Sequence, residues 1–257
     1  MQDDGPLAGM RLLATGATAG IGLACAEAAR DAGAAAIRVV GRDRGRGAAA
    51  ADQLGPRAGF IAADCADIGA VEAMAARAAE EMGGIDGLVV SPGTTRLPEL
   101  LHRQSLADIR DALTRDLAPV LYVCRAVLPV MMAQPRGGAI VAIASDAGKV
   151  ATPGESVIGA GMAAVIQFLR GLAIEGKRSL VRANAITPSL VEGTDLTARL
   201  MEEGRFSAKL FAKARSLADL GPTTPQDLAA LAVFLLSPAA GRITGQAVSV
   251  NGGISAA

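Results

Sequence analysis

The stretch Leu12-Leu13-Ala14-Thr15-Gly16-Ala17-Thr18-Ala19-Gly20-Ile21-Gly22 decides the fold. An apolar run passes into a glycine loop, and the loop opens a helix. Gly16 admits backbone angles that a side chain forbids. Gly20, lacking a Cβ, lets the main chain approach a ligand, and Gly22 lets the new helix lie close to the sheet. Free N–H groups at that helix's N-terminus favour an anion such as a pyrophosphate. The glycine spacing alone also suits an ordinary turn in an alanine-rich chain. A strand before it and a helix after it make it a phosphate cradle.

The same alternation continues along the chain. Strands are expected at 37–40, 59–63, 87–91, 138–144, 180–186 and 246–250. Helices are expected at 20–32, 45–54, 68–82, about 105–134 with a split near 114, 157–176 and 225–236. Asp64-Cys65-Ala66-Asp67 supplies the cap for the helix at 68–82. Strand and helix in turn imply an α/β fold, a single Rossmann-type domain over 1–257 with a doubly wound parallel sheet and helices on both faces. The stretch at about 188–224 reads as irregular, too long for an ordinary connection, and hence as a mobile substrate lid.

Composition excludes several classes. Hydrophobic residues make up 51% of the chain and 25 basic residues balance 25 acidic ones, so neither nucleic acid nor an anionic membrane is an expected partner. No apolar run reads as long and uninterrupted enough to span a bilayer. The opening Met1-Gln2-Asp3-Asp4-Gly5-Pro6 is polar and acidic, unlike a signal peptide. Cys25, Cys65 and Cys124 are odd in number and widely spaced, which excludes a metal pattern or disulfide framework and suits buried thiols in a reducing cytoplasm. One His, one Tyr and no Trp leave few catalytic options.

Taken together, the motifs resemble those of the short-chain dehydrogenase/reductase family over almost the whole chain. Thr15–Gly22 resembles its T-G-x-x-x-G-x-G loop, Arg182-Ala183-Asn184-Ala185-Ile186-Thr187-Pro188 its R-x-N-x-x-x-P-G with Ser189 for the glycine, and Ile243-Thr244-Gly245-Gln246 with Asn251-Gly252-Gly253 its C-terminal signature. The resemblance implies a nicotinamide dinucleotide held by Gly16, Thr18, Gly20, Ile21, Arg42, Asp64, Cys65, Pro92, Gly93 and Pro188, with Asp64 at the adenine ring. An acidic residue ending the second strand would bind an NAD ribose. Arg42 stands there instead and suits a 2′-phosphate, which argues for NADP over NAD, although Asp43 follows it.

The family's proton relay is where the pattern breaks. It needs a tyrosine four residues before a lysine, a serine upstream and an asparagine in the preceding helix. A free phenol has a pKa near ~10, and the lysine charge brings it into working range. Ser145 matches the serine. Thirteen residues on, the tyrosine position holds Ile158, and the lysine position holds Met162. Residues 150–170 contain neither Tyr nor Lys, the asparagine position is Asp116, and Val90-Ser91-Pro92-Gly93 replaces N-N-A-G. Pro92 removes a backbone donor beside the cofactor channel. Cofactor binding is therefore expected to be weak or absent.

Other residues offer substitutes, each with a structural alternative. Asp116 buried beside Ser145 would carry a raised pKa, or it holds Arg115 or a helix end. Lys149 reads as a solvated loop lysine, Asp146 and Glu155 as turn or cap residues, Tyr122 as core or interface, and His102 as a surface histidine. The small apolar run around Gly159-Ala160-Gly161 makes helix 157–176 apolar all round, and so buried. In the family this helix and the one at about 114–134 form the main subunit interface; Leu117, Val120, Leu121 and Cys124 read as its apolar stripe. Three functions remain open: a non-catalytic subunit of a hetero-oligomeric (for instance tetrameric) NAD(P)-dependent dehydrogenase, paired with an active paralogue or with itself; an enzyme with chemistry relocated to Asp116 or Lys149, such as a lyase, isomerase or unusual reductase; and a nucleotide-binding regulator.

Overall fold

A computed structural model describes residues 5–93 and 96–257. The polar opening Met1–Asp4 lies outside the described residues. Seven parallel strands, β1 (Arg11–Thr15), β2 (Ala36–Gly41), β3 (Ala58–Ala62), β4 (Gly87–Val90), β5 (Gly138–Ile143), β6 (Val181–Thr187) and β7 (Ala247–Ser249), form one sheet in the order β3-β2-β1-β4-β5-β6-β7. This is the expected Rossmann-type α/β architecture. Thr15 of β1 pairs with Val40 of β2 on one side and Val90 of β4 on the other. The chain reverses its direction of travel across the sheet between β1 and β4. A crevice opens there beyond the strands' carboxyl ends, where open α/β sheets bind ligands.

Helices cover both faces. Helices α1 (Gly20–Asp31), α2 (Arg44–Leu54) and α9 (Pro225–Leu236) pack on one side, with Cys25, Ala29, Leu54, Leu228 and Leu235 in its core. Helices α3 (Ile68–Met82), α5 (Ala118–Met132) and α6 (Ser156–Gly176) pack on the other around Met74, Val123, Met131, Val165 and Leu169. Local chemistry sets the helix ends. The Asp67 carboxylate accepts from the Ala70 N–H at 2.7 Å and caps α3, and Thr224 with Asp227 forms a capping box ahead of Pro225.

Four expectations change. The region 188–224 is not wholly irregular: it contains α7 (Asp195–Leu200) and α8 (Phe206–Ser216), with Thr194 capping α7 through the Thr197 N–H at 3.2 Å. The split near 114 is no break, because α4 (Leu106–Ala112) runs through a π-helical turn, Leu113–Leu117, into α5. The segment Ser156–Ser179 is long and apolar enough to cross a membrane, with a hydropathy of 1.8 over its best window, contrary to the sequence reading. Here α6 is a layer helix, with Met162, Val165, Ile166, Leu169 and Leu172 in the core. It is not buried all round: Ala160, Ala163, Gln167, Gly171 and Ile174 form an exposed stripe.

The expected interface residues also shift. On α5, Val120 and Cys124 are fully buried in the chain's own core, and Leu117 and Leu121 pack against it. A Cβ at Gly159 would meet the Ala147 carbonyl oxygen at 2.6 Å, so that glycine serves close packing within the chain. Gly161 faces the crevice. The small-residue run thus points mainly inward, and only Ala160 of the three is exposed.

Candidate functional site

The crevice is a cavity of about 700 Å³ running along the strand ends. At its floor the β1–α1 loop behaves as its sequence requires. Gly16 takes φ +65°, and a Cβ there would lie 1.8 Å from the Ser91 carbonyl oxygen. A Cβ on Gly22 would approach the Gly16 carbonyl oxygen to 2.4 Å. Space above Gly20 is open, with nothing within 4 Å of a Cβ position. No side chain caps the N-terminus of α1, where Ala19 is the capping residue. An uncapped helix start under an open glycine suits a phosphate.

All ten residues expected to hold a dinucleotide line this one cavity: Gly16, Thr18, Gly20, Ile21, Arg42, Asp64, Cys65, Pro92, Gly93 and Pro188. The doubt over Asp43 resolves locally. Its carboxylate accepts from the Arg46 N–H at 2.9 Å and caps α2, and it is absent from the cavity wall. Arg42 and Arg46 both reach that wall, so the β2 end presents two guanidinium groups, with the Asp43 carboxylate 3.5 Å from that of Arg46. Gly41 has its own reason to be glycine, since a Cβ would meet Thr18 Cγ2 at 2.7 Å. Asp64 accepts from the Ala66 N–H at 3.0 Å and lies 3.5 Å from Arg115 of the π-helical turn. Burial and the neighbouring Asp64 raise the Cys65 thiol to about 11, and burial raises Cys25 and Cys124 to about 12.

Ser145, Asp116, Ile158 and Met162 line the same cavity, so counting along the sequence placed all four at one site. Ser145 Oγ accepts from the Ala147 N–H at 3.2 Å and starts a short 3₁₀ turn at the end of β5. Ile158 packs against the core, and Met162 is 8% exposed. Neither carries a proton, and Met162 carries no charge. Asp116 does not hold Arg115; it is paired with Arg96 at 3.0 Å.

Lys149 is not a solvated loop lysine. Its side chain is 12% exposed and faces away from the cavity, 3.8 Å from Asp146 and bonded to Ser249 Oγ and the Ala257 carbonyl oxygen. Asp146 is buried, accepts from Asn251 Nδ2 at 2.7 Å and bonds Ser255. This polar cluster ties the turn after β5 to the last strand and engages both residues structurally. Tyr122 packs against the core as expected, and His102 is exposed.

Glu155 is the group that the sequence reading undervalued. It lines the cavity, half-buried, one helical turn before Ile158. Burial pushes its carboxyl up to about 7, helped by the charge of Asp146 and opposed by a hydrogen bond with Thr152. The available signal was Thr152-Pro153-Gly154, a turn in which Gly154 has φ +82° and the Glu155 N–H donates to the Thr152 carbonyl at 3.0 Å. Proline and a left-handed glycine at its centre are the type II pattern, which fixes where the next residue is presented.

Comparison with known proteins finds relatives along nearly the whole chain. The family model described as "Enoyl-(Acyl carrier protein) reductase" matches residues 16–255. A 3-oxoacyl-[acyl-carrier-protein] reductase of Vibrio harveyi is 34% identical over 248 residues, 96% of this chain and 98% of that one. Among solved structures, a short-chain type dehydrogenase/reductase from Mycobacterium ulcerans superposes with a TM-score of 0.88 at 26% identity, covering 96% of this chain and 91% of that one.

Proposed function

The chain belongs to the short-chain dehydrogenase/reductase family, and from that premise we propose that it is a dinucleotide-binding, non-catalytic subunit of a hetero-oligomeric NAD(P)-dependent alcohol or hydroxyacyl dehydrogenase. The observation that carries this reading is Ile158 and Met162 in the cavity wall beside Ser145. A positioned acid–base group is worth ~10²–10⁴ in rate, and both coupled members of the family's pair are missing. The pattern of losses resembles the inactive subunit of the 2-[hydroxy(phenyl)methyl]succinyl-CoA dehydrogenase of anaerobic toluene degradation.

The uncapped start of α1 and the open Gly20 fit a pyrophosphate, and Arg42 with Arg46 fits a 2′-phosphate, which favours NADP. A nicotinamide dinucleotide supplies hydride transfer in this family. Its ribose would lack the lysine contact at Met162, so binding is weak. Relatives named as 3-oxoacyl-[acyl-carrier-protein] reductases suggest an acyl thioester with a ketone or hydroxyl as the ligand. The helices at about 114–134 and 157–176 form the surface toward an active paralogue, or toward self. A reducing cytoplasm suits the three unpaired thiols.

Relocation of the chemistry to Asp116 or Lys149 finds little support, since Asp116 pairs with Arg96 and Lys149 belongs to the cluster around Asp146. The test is NADPH oxidation with acetoacetyl-CoA by the purified chain, together with identification of what co-purifies with the native protein. The expected results are no turnover alone and an active paralogue as companion. Turnover by the pure homomer at ordinary enzyme rates, ~1 s⁻¹ or more, would overturn the reading.

A further inference from the structure

We propose that Glu155 is the residue that meets the ligand's oxygen in this cavity, donating a hydrogen bond to a ketone when it is protonated and accepting one from an alcohol when it is ionised. The inference goes beyond the absence of the family's relay and rests on the proposed function only for the class of ligand.

Geometry comes first. Glu155 shares the cavity wall with Ser145, Ile158 and Met162. It is the N-cap of α6, three residues before Ile158, and its carbonyl accepts from the Gly159 N–H at 2.6 Å, so it stands at the mouth of the helix that carries Ile158 and Met162. The Ser145–Gly148 turn is pressed against this helix: a Cβ on Gly148 would lie 2.8 Å from the Ala163 nitrogen. The Thr152-Pro153-Gly154 turn anchors Glu155 from the other side, and Phe206 of α8 covers Gly154, where a Cβ would meet its ring at 2.5 Å. A polar ligand oxygen that reaches the bottom of the cavity finds an apolar wall at Ile158 and Met162. The hydroxyl of Ser145 and the carboxyl of Glu155 are among the polar groups of the same lining, where the Asp116 carboxylate is already engaged by Arg96.

The electrostatic setting decides which form Glu155 takes. Asp146 opposes its ionisation, and Lys149 stands 3.8 Å from Asp146 and offsets part of that field. Glu99 packs its backbone on Gly154, with its N–H donating to the Gly154 carbonyl at 2.9 Å, and its own carboxylate lies 3.8 Å from Arg103. Across the cavity Arg96 and Asp116 form an ion pair, and Asp195 and Arg199 of α7 bring one charge of each sign to the wall. These charges come largely in opposite pairs. Burial therefore dominates, and it places the change of form near neutral pH. A neutral carboxyl has one O–H to give, which a ketone oxygen accepts; a carboxylate only accepts, which suits the hydroxyl of an alcohol. The site thus prefers one partner of a ketone/alcohol pair below neutrality and the other above it.

The size of the effect follows from the competent fraction. With the carboxyl near 7, a ligand that needs the protonated form loses about tenfold in affinity between pH 6 and pH 8, and one that needs the ionised form gains about as much. Calorimetry with acetoacetyl-CoA and 3-hydroxybutyryl-CoA, in two buffers of different ionisation enthalpy, reads both the affinity and the protons exchanged. At pH 8 acetoacetyl-CoA should bind with uptake of most of one proton per site, and the preference between the two probes should invert between pH 6 and pH 8. Glu155→Gln, which keeps the shape and fixes the charge at zero, should abolish both the uptake and the inversion while melting as a folded protein.

Binding of acetoacetyl-CoA by the wild type without proton uptake at pH 8 overturns the proposal without recourse to any variant. Proton uptake that persists in Glu155→Gln overturns it too, as does failure of both probes to bind at millimolar concentration. The parallel NADPH oxidation assay keeps the two readings apart. Turnover by the wild type that is lost in Glu155→Gln would sink the non-catalytic reading and leave the contact at Glu155 standing.

Discussion

Replacing Glu155 by Gln should stabilise the protein at alkaline pH and leave it unchanged in acid. The folded state raises this carboxyl from 4.5 to about 7, chiefly by burial. An acid with a raised value keeps its proton in the folded chain where the unfolded chain has already released it. Stability is therefore lost as pH rises from about 4.5 to about 7, and the whole penalty is present above that window. At ~1.4 kcal/mol per pH unit the penalty is at most about 3.5 kcal/mol, and residual solvent at a half-buried site brings it nearer ~2 kcal/mol. Glutamine removes the charge and keeps the shape, so the gain at pH 8 should be about 2 kcal/mol, with almost none at or below about pH 4. For a chain of this size ~1 kcal/mol moves the melting temperature by ~2–4 °C. The assay is a pair of thermal melts of wild type and Glu155→Gln at pH 4 and pH 8, where the variant should melt about 4–8 °C higher at pH 8 only. Equal shifts at both pH values, or none at pH 8, would refute the argument that this carboxyl is held protonated by the fold.

Arg42→Ala should weaken NADPH binding about tenfold and NADH binding little, since one of two guanidinium groups near a 2′-phosphate would be gone; titration of both nucleotides checks it. Gly22→Val should melt well below wild type and bind no dinucleotide, because its Cβ meets the backbone oxygen of Gly16 at 2.4 Å; melts with and without NADPH decide it. Asp146→Ala should cost about 3 kcal/mol, leaving Lys149 and Asn251 without their shared carboxylate, with Ser145 unmoved; urea unfolding measures it. On the outer stripe of α6, Ala163→Arg should dissociate the assembly read by light scattering, whereas Gly161→Arg, at the cavity wall, should leave the assembly intact and block ligand.

Much of the fold was legible because its signals are local. The glycine loop, the Asp67 cap and the Thr224-Pro225 start each name one element's end from a few neighbouring residues, and α9 occupies the expected 225–236. Counting from Ser145 to Ile158 and Met162 worked for the same reason, since a strand end and a helix start fix the register between them. What failed depends on packing partners far along the chain. Lys149 looks like a loop lysine until Ser249, a hundred residues away, is brought beside it. Val120 and Cys124 look like an interface stripe because α5 is apolar on most faces, so periodicity cannot say which face turns inward. Helix α7 spans only six residues and reads as loop, whereas α8, eleven residues with Leu210 and Phe211 turned to a small core, carries an amphipathic pattern that the reading of 188–224 missed. Glu155 reads as a turn or cap residue and is indeed the N-cap of α6, but the burial that alters its carboxyl is set by tertiary packing and cannot be read locally.

The residues at the relay positions also fit the packing around them. A lysine at 162 would sit where Met162 is 8% exposed, among Val165, Ile166 and Leu169, and a charge there needs a partner to offset its desolvation. Methionine fills comparable volume with no such demand and adapts to an irregular wall. Ile158 likewise packs its whole side chain against the core where a phenol would have left a hydroxyl needing a partner. Each change therefore removes a polar requirement from the crevice and leaves the sheet and its helices undisturbed. The binding loop has not been relieved in the same way. Gly16 and Gly22 still meet backbone that any side chain would strike, Gly20 still leaves open space, and the start of α1 still has no capping side chain. Open space and an uncapped helix start contribute nothing to stability by themselves, and a capping residue at position 19 would gain ~1 kcal/mol. On the non-catalytic reading, their presence beside Ile158 and Met162 separates the two halves of the site: the half that would hold an anion keeps its costs, and the half at the family's tyrosine and lysine positions is apolar, with Glu155 in the same cavity as a group able to carry a proton.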